Sequence, residues 1–210
     1  MNDLSKENRI LDAATLEIAE NGYANATMAR IAKRANVSSG LIYFYFPKGK
    51  LQVLLSITVR FWKILNERLE NQLASISDPV ARITELARLA EFMLVRDNNR
   101  LYLAKVLIEE LPRLFMISDD ELKDTRMEIT VENRKFINTI DTIIRDGQNQ
   151  GVFDGSLKPS AMRQVLYGAT EMLLYGLFIK ASRNEDLGYG KADVKKTLDS
   201  LIRKFLCKNP

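Results

Sequence analysis

Residues 26–55, ATMARIAKRANVSSGLIYFYFPKGKLQVLL, decide the fold of this chain. Thr27 and Ser38 each precede a short run with apolar residues at helical spacing, and both residue types are favoured at helix N-caps. Asn36 lies between the two runs and tolerates the left-handed conformation of a tight turn. Pro47 ends the second run. The stretch therefore predicts two short helices joined by a tight turn, which is a helix-turn-helix.

The rest of the sequence also predicts helices. A first helix over about residues 5–21 is expected to end at Asn21-Gly22, which suits a left-handed cap. No run shows the two-residue alternation of a strand, so the sequence predicts an all-α protein. The final helix is expected to start at Asp193 as its N-cap. Later helices are predicted over about 50–74, 79–96, 100–112, 118–148, 160–182 and 193–204.

Charge is unevenly distributed along the chain. Residues 21–66 contain no Asp or Glu, although the whole chain has 27 acidic residues. A segregated positive field of this kind is typical of a segment that binds a polyanion, and the alternative is a basic helical surface with no partner. The basic residues inside this acid-free stretch are Arg30, Lys33, Arg34, Lys48, Lys50, Arg60 and Lys63.

The composition excludes several classes of function. The chain has no histidine, which excludes a Ser-His-Asp triad and histidine-ligated metal sites. Its one cysteine, Cys207, cannot form an internal disulfide and is expected on the last helix. We therefore expect no metal and no cofactor. The N-terminus lacks a signal-peptide pattern and no apolar run approaches the roughly 18 residues that span a bilayer, so the expectation is a cytoplasmic protein without membrane contact.

Each part of the helix-turn-helix suits one kind of contact with double-stranded DNA. The second helix of such a motif lies in the major groove, and its N-terminal residues meet base edges. Small residues there allow close approach, hydroxyl and ammonium groups suit phosphates, and apolar groups suit a base or a thymine methyl. Ile42 and Phe46 are predicted to be core instead. The predicted DNA-binding residues are Thr27, Ser38, Ser39, Gly40, Leu41, Tyr43, Phe44, Tyr45, Lys48 and Lys50.

The same stretch resembles the DNA-binding signature of the TetR family of bacterial repressors, roughly T-x-x-x-IA-x-x-AGVS-x-G-x-xY-x-HF followed by lysine and leucines. Asn36 stands where that pattern has glycine, and Tyr45 stands where it has histidine. A turn one residue longer than usual would give Lys50 the role of the family's lysine. The matching residues are Thr27, Ile31, Ala32, Ala35, Val37, Ser38, Gly40, Tyr43 and Phe46.

The resemblance implies a two-domain homodimer that binds a palindromic operator and is released by a small effector. It implies a helix-turn-helix domain over residues 1–49 and a ligand-binding and dimerisation domain, a helical bundle, over 50–210. The helix at 160–182 is apolar on two sides and so suits both a core and a second copy. The predicted interface residues are Val165, Gly168, Ala169, Met172 and Gly176.

An effector pocket is predicted from large, mostly apolar residues, although each of them taken singly is more often core. The effector domain, from LYLAKVLIEELPRL through GVF, is distantly similar to family members that respond to fatty acyl-CoA. A lipophilic effector, with fatty acyl-CoA as one candidate, is therefore the expectation, and so is repression of transcription. The predicted pocket residues are Trp62, Phe92, Tyr102, Phe115, Met116 and Tyr175.

Two other classes of function compete with this reading. An all-α enzyme would need paired carboxylates, but the adjacent Glu109 and Glu110 point about 100° apart on a helix. The acidic run Asp119–Glu121 is explained by helix capping. An amphipathic helix over residues 51–73 could bind a membrane surface, but its Glu67 and Glu70 and the surrounding fold disfavour that role. Both alternatives are weaker than a DNA-binding regulator.

Overall fold

The computed structural model describes residues 3–92, 103, 106–107, 122–183, 186 and 188–207. Within these ranges the regular structure is helical, apart from an isolated antiparallel bridge between Phe153 and Cys207. None of the described helices is long and apolar enough to cross a membrane. The helices are α1 (Asp3–Asn25), α2 (Met28–Arg34), α3 (Ser39–Tyr45), α4 (Lys50–Leu73), α5 (Pro79–Phe92), α6 (Lys123–Asn149), α7 (Pro159–Arg183) and α8 (Lys191–Leu201), which a π-helical turn (Ile202–Leu206) follows.

The chain divides into two compact units. One comprises Met1–Lys63 with Arg96–Asn133, and the other comprises Ile64–Val95 with Arg134–Pro210. The first unit contains α1, α2, α3 and the first turns of α4, because Val53, Leu54, Leu55 and Ile57 of α4 belong to the core that those three helices build. The functional boundary after residue 49 stays a prediction.

The core of the first unit is apolar and continuous. Apolar residues of α1 recur three or four positions apart, which places them on one face of the helix. Ile42 and Phe46 are both buried, as the sequence predicts. The fully buried large side chains of this core are Ile10, Ile18, Ile31, Ile42, Phe46, Leu54, Leu55 and Ile57.

The predicted helix starts of the motif are confirmed. The Thr27 hydroxyl accepts a hydrogen bond from the Arg30 N–H at 3.2 Å, and the Ser38 hydroxyl accepts one from the Leu41 N–H at 3.2 Å. Asn36 has a φ of 51°, the left-handed conformation that the turn requires. Pro79 is the first residue of α5, again as predicted.

Three expectations about helix ends were wrong in detail. Gly22 breaks the first helix, with φ 74° and ψ 155°, but helical structure resumes and α1 extends to Asn25. Asp193 is not the N-cap of α8; its carboxylate accepts from the N–H of Gly190, the N-cap, at 2.9 Å. The last α-helix ends at Leu201, where the π-helical turn begins. The predicted helix ends and starts between residues 93 and 121 lie outside the described residues.

The connection between α6 and α7 is closely packed inside the second unit. A Cβ on Gly147 would lie 2.1 Å from the ring of Phe153, which is buried. The Phe153 N–H donates to the Gly147 carbonyl at 3.0 Å. The Asp154 N–H donates to the Leu206 carbonyl at 2.8 Å, which attaches the end of the chain. Cys207 therefore lies in an extended segment beside Phe153, not on a helix as expected.

Candidate nucleic-acid interface

α3 has one buried side and one exposed side. Ile42 faces the core, whereas Ser39, Gly40, Tyr43 and Phe44 are exposed. We call these four residues the exposed face of α3. Phe44 leaves 74% of its surface accessible and Tyr43 leaves 51%. Large apolar side chains this exposed, on a helix whose other side is fully buried, indicate a surface that meets a partner.

Backbone hydrogen bonds in the turn fix α3 against α2. The Asn36 N–H donates to the Lys33 carbonyl at 3.2 Å, and the Val37 N–H donates to the Ala32 carbonyl at 3.0 Å. These bonds satisfy carbonyls that the end of a short helix would otherwise leave without partners. The direction of α3 is thus set by local geometry that the sequence itself encodes.

Most of the predicted DNA-binding residues are exposed, two are half-buried, and Lys50 is bonded inside the protein. Thr27, Ser38 and Lys48 are exposed, as are the four residues of the exposed face of α3. Leu41 is half-buried. Tyr45 is half-buried against the core and stacks edge-on with Phe44 at 5.4 Å between ring centroids. The roles of all these residues toward DNA stay predictions.

Lys50 does not extend into solvent. Its ammonium group donates to the carbonyls of Tyr23 at 2.6 Å, Ala26 at 2.8 Å and Ala24 at 3.2 Å. It also lies 4.4 Å from the centroid of the Tyr23 ring. This arrangement differs from the sequence expectation that Lys50 binds a phosphate, because these bonds engage all three donors of the ammonium group.

Arginines on α2 bond to acidic residues of α1. Glu17, whose side chain is only 3% exposed, lies 2.8 Å from Arg30 and 3.4 Å from Arg34. Arg34 also lies 2.5 Å from Glu20, and its guanidinium lowers the pKa of that carboxyl. These bonds hold α2 against α1.

Basic residues of α4 are paired in the same way. The Arg60 guanidinium lies 2.8 Å from the Asp12 carboxylate and also donates to the Asn8 carbonyl at 3.1 Å. Lys63 lies 2.5 Å from Glu128 of α6. The positive field expected over the acid-free stretch is therefore offset in space by carboxylates from outside that stretch.

Sequence reasoning missed these carboxylates because they lie outside the motif. Glu17 and Glu20 are three residues apart on α1, so they share a helical face, and that spacing is the signal that could have found them. Asp12 and Glu128 are separated from their partners by 48 and 65 residues, and no local pattern connects them.

The predicted pocket residues are only partly described. Trp62 is buried and makes an edge-on contact with Phe61, with 5.1 Å between ring centroids. Tyr175 of the second unit is 38% exposed. Phe92 is the last residue of α5. The others, Tyr102, Phe115 and Met116, lie outside the described residues, so a pocket built from the six stays a prediction.

The predicted interface residues on α7 differ in exposure. Met172 is 65% exposed and Val165 is 45% exposed. Gly168 and Ala169 are half-buried, and a Cβ added to Gly168 would meet nothing within 4 Å. Gly176 is buried within the second unit. α7 thus leaves the apolar side chains of Val165 and Met172 exposed.

Residues 10–57 match the family described as bacterial regulatory proteins, tetR family. The match covers most of α1, all of α2 and α3, and the first turns of α4. A curated relative, the fatty acid metabolism regulator protein of Bacillus subtilis (strain 168), is 27% identical over 167 residues, which are 78% of this chain and 78% of that protein. That similarity reaches well beyond the helix-turn-helix.

Solved structures confirm the predicted fold class. The fatty acid degradation regulator FadR from Bacillus halodurans gives a TM-score of 0.78 at 24% identity, covering 98% of this chain and 97% of that one. FadR from Bacillus subtilis, solved in complex with stearoyl-CoA, gives 0.72 at 24% identity, covering 93% of this chain and 96% of that one. The fold is therefore a helix-turn-helix followed by a helical second domain.

Proposed function

We propose that this chain, which belongs to the TetR family of bacterial regulatory proteins, binds a two-fold symmetric operator as a homodimer and represses transcription until a lipophilic effector releases it. Two further relatives, KstR and HbdR, carry names that describe transcriptional regulators, and the chain is a DNA-binding transcriptional regulator, not an enzyme. The operator symmetry, the dimer, the effector and the direction of regulation are the proposed parts. Repression follows from the family resemblance.

One observation carries the DNA-binding part, namely the exposed face of α3. Ser39 and Gly40 let the backbone come close to the groove, and the serine hydroxyl can bond a base edge or a phosphate. The Tyr43 hydroxyl can donate to a phosphate. Phe44 offers an apolar surface to a thymine methyl. A surface that is uncharged and partly aromatic suits contact with base edges, while Lys48 beside it suits the backbone.

The dimer is supported by the exposed apolar side of α7. Val165 and Met172 lie on one side of that helix, seven residues and therefore about two turns apart. Gly168 between them lets a second helix approach. A two-fold interface uses the same patch on both copies, and such a patch must be self-complementary, which an uncharged apolar strip is. Two copies would place two α3 helices on successive major grooves of one DNA face.

The effector is proposed from similarity in the second domain. A fatty acid metabolism regulator matches this chain over most of its length, and one FadR with this fold was solved with stearoyl-CoA. We propose an acyl-CoA with a long chain, which binds only one of two arrangements of the dimer and shifts the population toward it. A coupling of about 1–3 kcal/mol would change DNA affinity about 5- to 150-fold.

The DNA-binding part is tested by selection from a random pool of duplexes. We expect a two-fold symmetric site to be enriched, and Phe44→Ala and Tyr43→Ala to lose the preference while keeping their helix content. A matched control is Leu157→Ala, an exposed apolar residue in the loop before α7. Failure of the wild-type chain to enrich any site would refute the proposal.

The effector part is tested with three probes on the selected duplex. Stearoyl-CoA is expected to release the protein, whereas coenzyme A and stearate alone are expected to have little effect at the same concentration. Native mass spectrometry of the purified protein provides a second readout. A small polar metabolite bound in place of an acyl chain would contradict this part and leave the DNA-binding part intact.

A further inference from the structure

Lys50 connects two parts of the first unit that are far apart in sequence. The carbonyls that its ammonium binds belong to residues 23, 24 and 26, at the end of α1 and in the segment before α2. Ala26 directly precedes Thr27, the N-cap of α2. Lys50 itself is the first residue of α4, directly after the turn that ends α3. The Lys50 side chain therefore connects the segment just before α2 with the first residue after the turn that follows α3.

The carbonyls at this place need a donor. Gly22 interrupts α1, and carbonyls near the end of a helix have no partner within it. A lysine ammonium near such an end is favoured both by hydrogen bonding and by the helix dipole. The Tyr23 ring, with its centroid 4.4 Å from the ammonium nitrogen, adds a cation–π contact. All three donors and one further side of the ammonium are thus occupied inside the protein.

The turn after α3 holds the other end of this connection. The Gly49 N–H donates to the Phe46 carbonyl at 2.9 Å, and Gly49 has a φ of 73°, which favours glycine. Phe46 is buried in the core of the unit. The backbone at residue 50 is therefore fixed relative to α3. Because the Lys50 ammonium bonds the Ala26 carbonyl, the start of α2 is held relative to the same point.

We infer that Lys50 is a positioning residue for DNA recognition, which closes the helix-turn-helix at its two ends and does not contact a phosphate. This inference rests on the proposed function. A phosphate could reach the Lys50 ammonium only if bonds to the three carbonyls were broken. The loss of Lys50 should therefore disturb the placement of α2 and α3 without removing a phosphate contact.

Two variants separate positioning from phosphate binding. Lys50→Met keeps an unbranched side chain, shorter than lysine by its nitrogen atom, and removes the charge. Lys50→Arg keeps the charge, but the planar fork of a guanidinium does not direct three donors to three converging carbonyls. Lys48→Met serves as the comparison, because Lys48 is exposed on the same turn. The readout is the slope of the logarithm of DNA affinity against the logarithm of salt concentration, measured on the duplex that the wild-type chain selects.

Both Lys50 variants are expected to bind that duplex about tenfold more weakly or worse, with the wild-type slope, because they lower the population of the competent arrangement. Lys48→Met is expected to make the slope shallower by about two for a dimer, since each lost phosphate contact contributes about 0.9. The inference is overturned if Lys50→Met shows that shallower slope and Lys50→Arg binds like the wild type.

A second readout does not depend on DNA affinity and begins with the free protein. In spectra of ¹⁵N-labelled lysine ammonium groups, the Lys50 signal is expected to persist in the free protein and to stay unchanged when DNA is added. Backbone amide exchange at residues 23–27 is expected to accelerate in both Lys50 variants. A Lys50 signal that appears only with DNA would overturn the inference. If the wild type selects no duplex, the proposed function fails while these measurements still decide the role of Lys50.

Discussion

Salt should weaken DNA binding by this protein far less than its acid-free stretch implies. Four of the seven basic residues in that stretch bond to carboxylates, and Lys50 bonds to carbonyls. Lys33 and Lys48 are exposed, on α2 and on the turn after α3. If these two contact phosphates in each half of a dimer, four phosphates are neutralised. The slope of log affinity against log salt is then about −3.6, compared with about −12.6 if all seven took part.

The two slopes predict very different measurements. Raising salt from 0.05 to 0.2 M, a fourfold change, lowers affinity about 150-fold with the shallow slope and more than about a million-fold with the steep one. Fluorescence anisotropy with the selected duplex, at constant pH and in a chloride series, distinguishes them directly. Arg60→Gln is the matched variant, because Arg60 is paired with Asp12, and its slope should equal that of the wild type.

A slope of about −7 or steeper, which corresponds to eight phosphates for the dimer, would refute this reasoning. It would mean that DNA opens the ion pairs around Glu17 and draws the arginines of α2 to phosphates. The variant Arg30→Gln would then give a shallower slope than the wild type, which would identify Arg30 as a phosphate contact. Exposed ion pairs contribute only about 0–1 kcal/mol, so the prediction depends mainly on the buried carboxylate of Glu17, which would lose its partners.

Three further predictions concern packing, assembly and pH. Gly147→Ala should lower the free energy of unfolding by about 1–3 kcal/mol in urea titrations, because its Cβ would overlap the buried ring of Phe153, whereas Gly155→Ala should not change it. Met172→Asp should give a monomer in sedimentation velocity with unchanged helix content, and a persisting dimer would contradict the α7 interface. The lowered pKa of Glu20 means that its ion pair with Arg34 stabilises the fold above the ordinary carboxyl pKa and is lost as pH falls. Arg34→Gln should therefore flatten the acid side of a plot of melting temperature against pH.

The parts of this fold that follow from sequence are local. The caps at Thr27 and Ser38 and the left-handed Asn36 each depend on bonds within a few residues, so residue type and spacing were enough to predict them. The apolar spacing of Ile42 and Phe46 likewise predicted their burial. The exact helix ends were less predictable, because Gly190 and Asp193 share the capping role at α8 and either could have been the cap.

The polar contacts of the interface could not be predicted because they join distant parts of the chain. Lys50 binds carbonyls 24 to 27 residues away, and which carbonyls meet it depends on how α4 packs on the end of α1. The resemblance to the family's lysine predicted a phosphate contact for Lys50, which its bonds to three backbone carbonyls do not favour. Charge counted along the sequence missed these carboxylates for the same reason, since Asp12 and Glu17 reach the acid-free stretch only in three dimensions.

These polar contacts also couple the direction of α4 to the position of α3. Lys50 and Arg60 bond to opposite ends of α1, ten residues apart on α4, and Val53, Leu54 and Ile57 are buried between them. The first turns of α4 are thus held at two polar points and along one apolar face. In the proposed dimer, a change in the direction of α4 must therefore turn α3 with it, because bending at residue 50 would break three bonds to carbonyls at once. An effector that changes the spacing of the two α4 helices would consequently change the spacing of the two α3 helices, and with it the fit to an operator of fixed half-site separation.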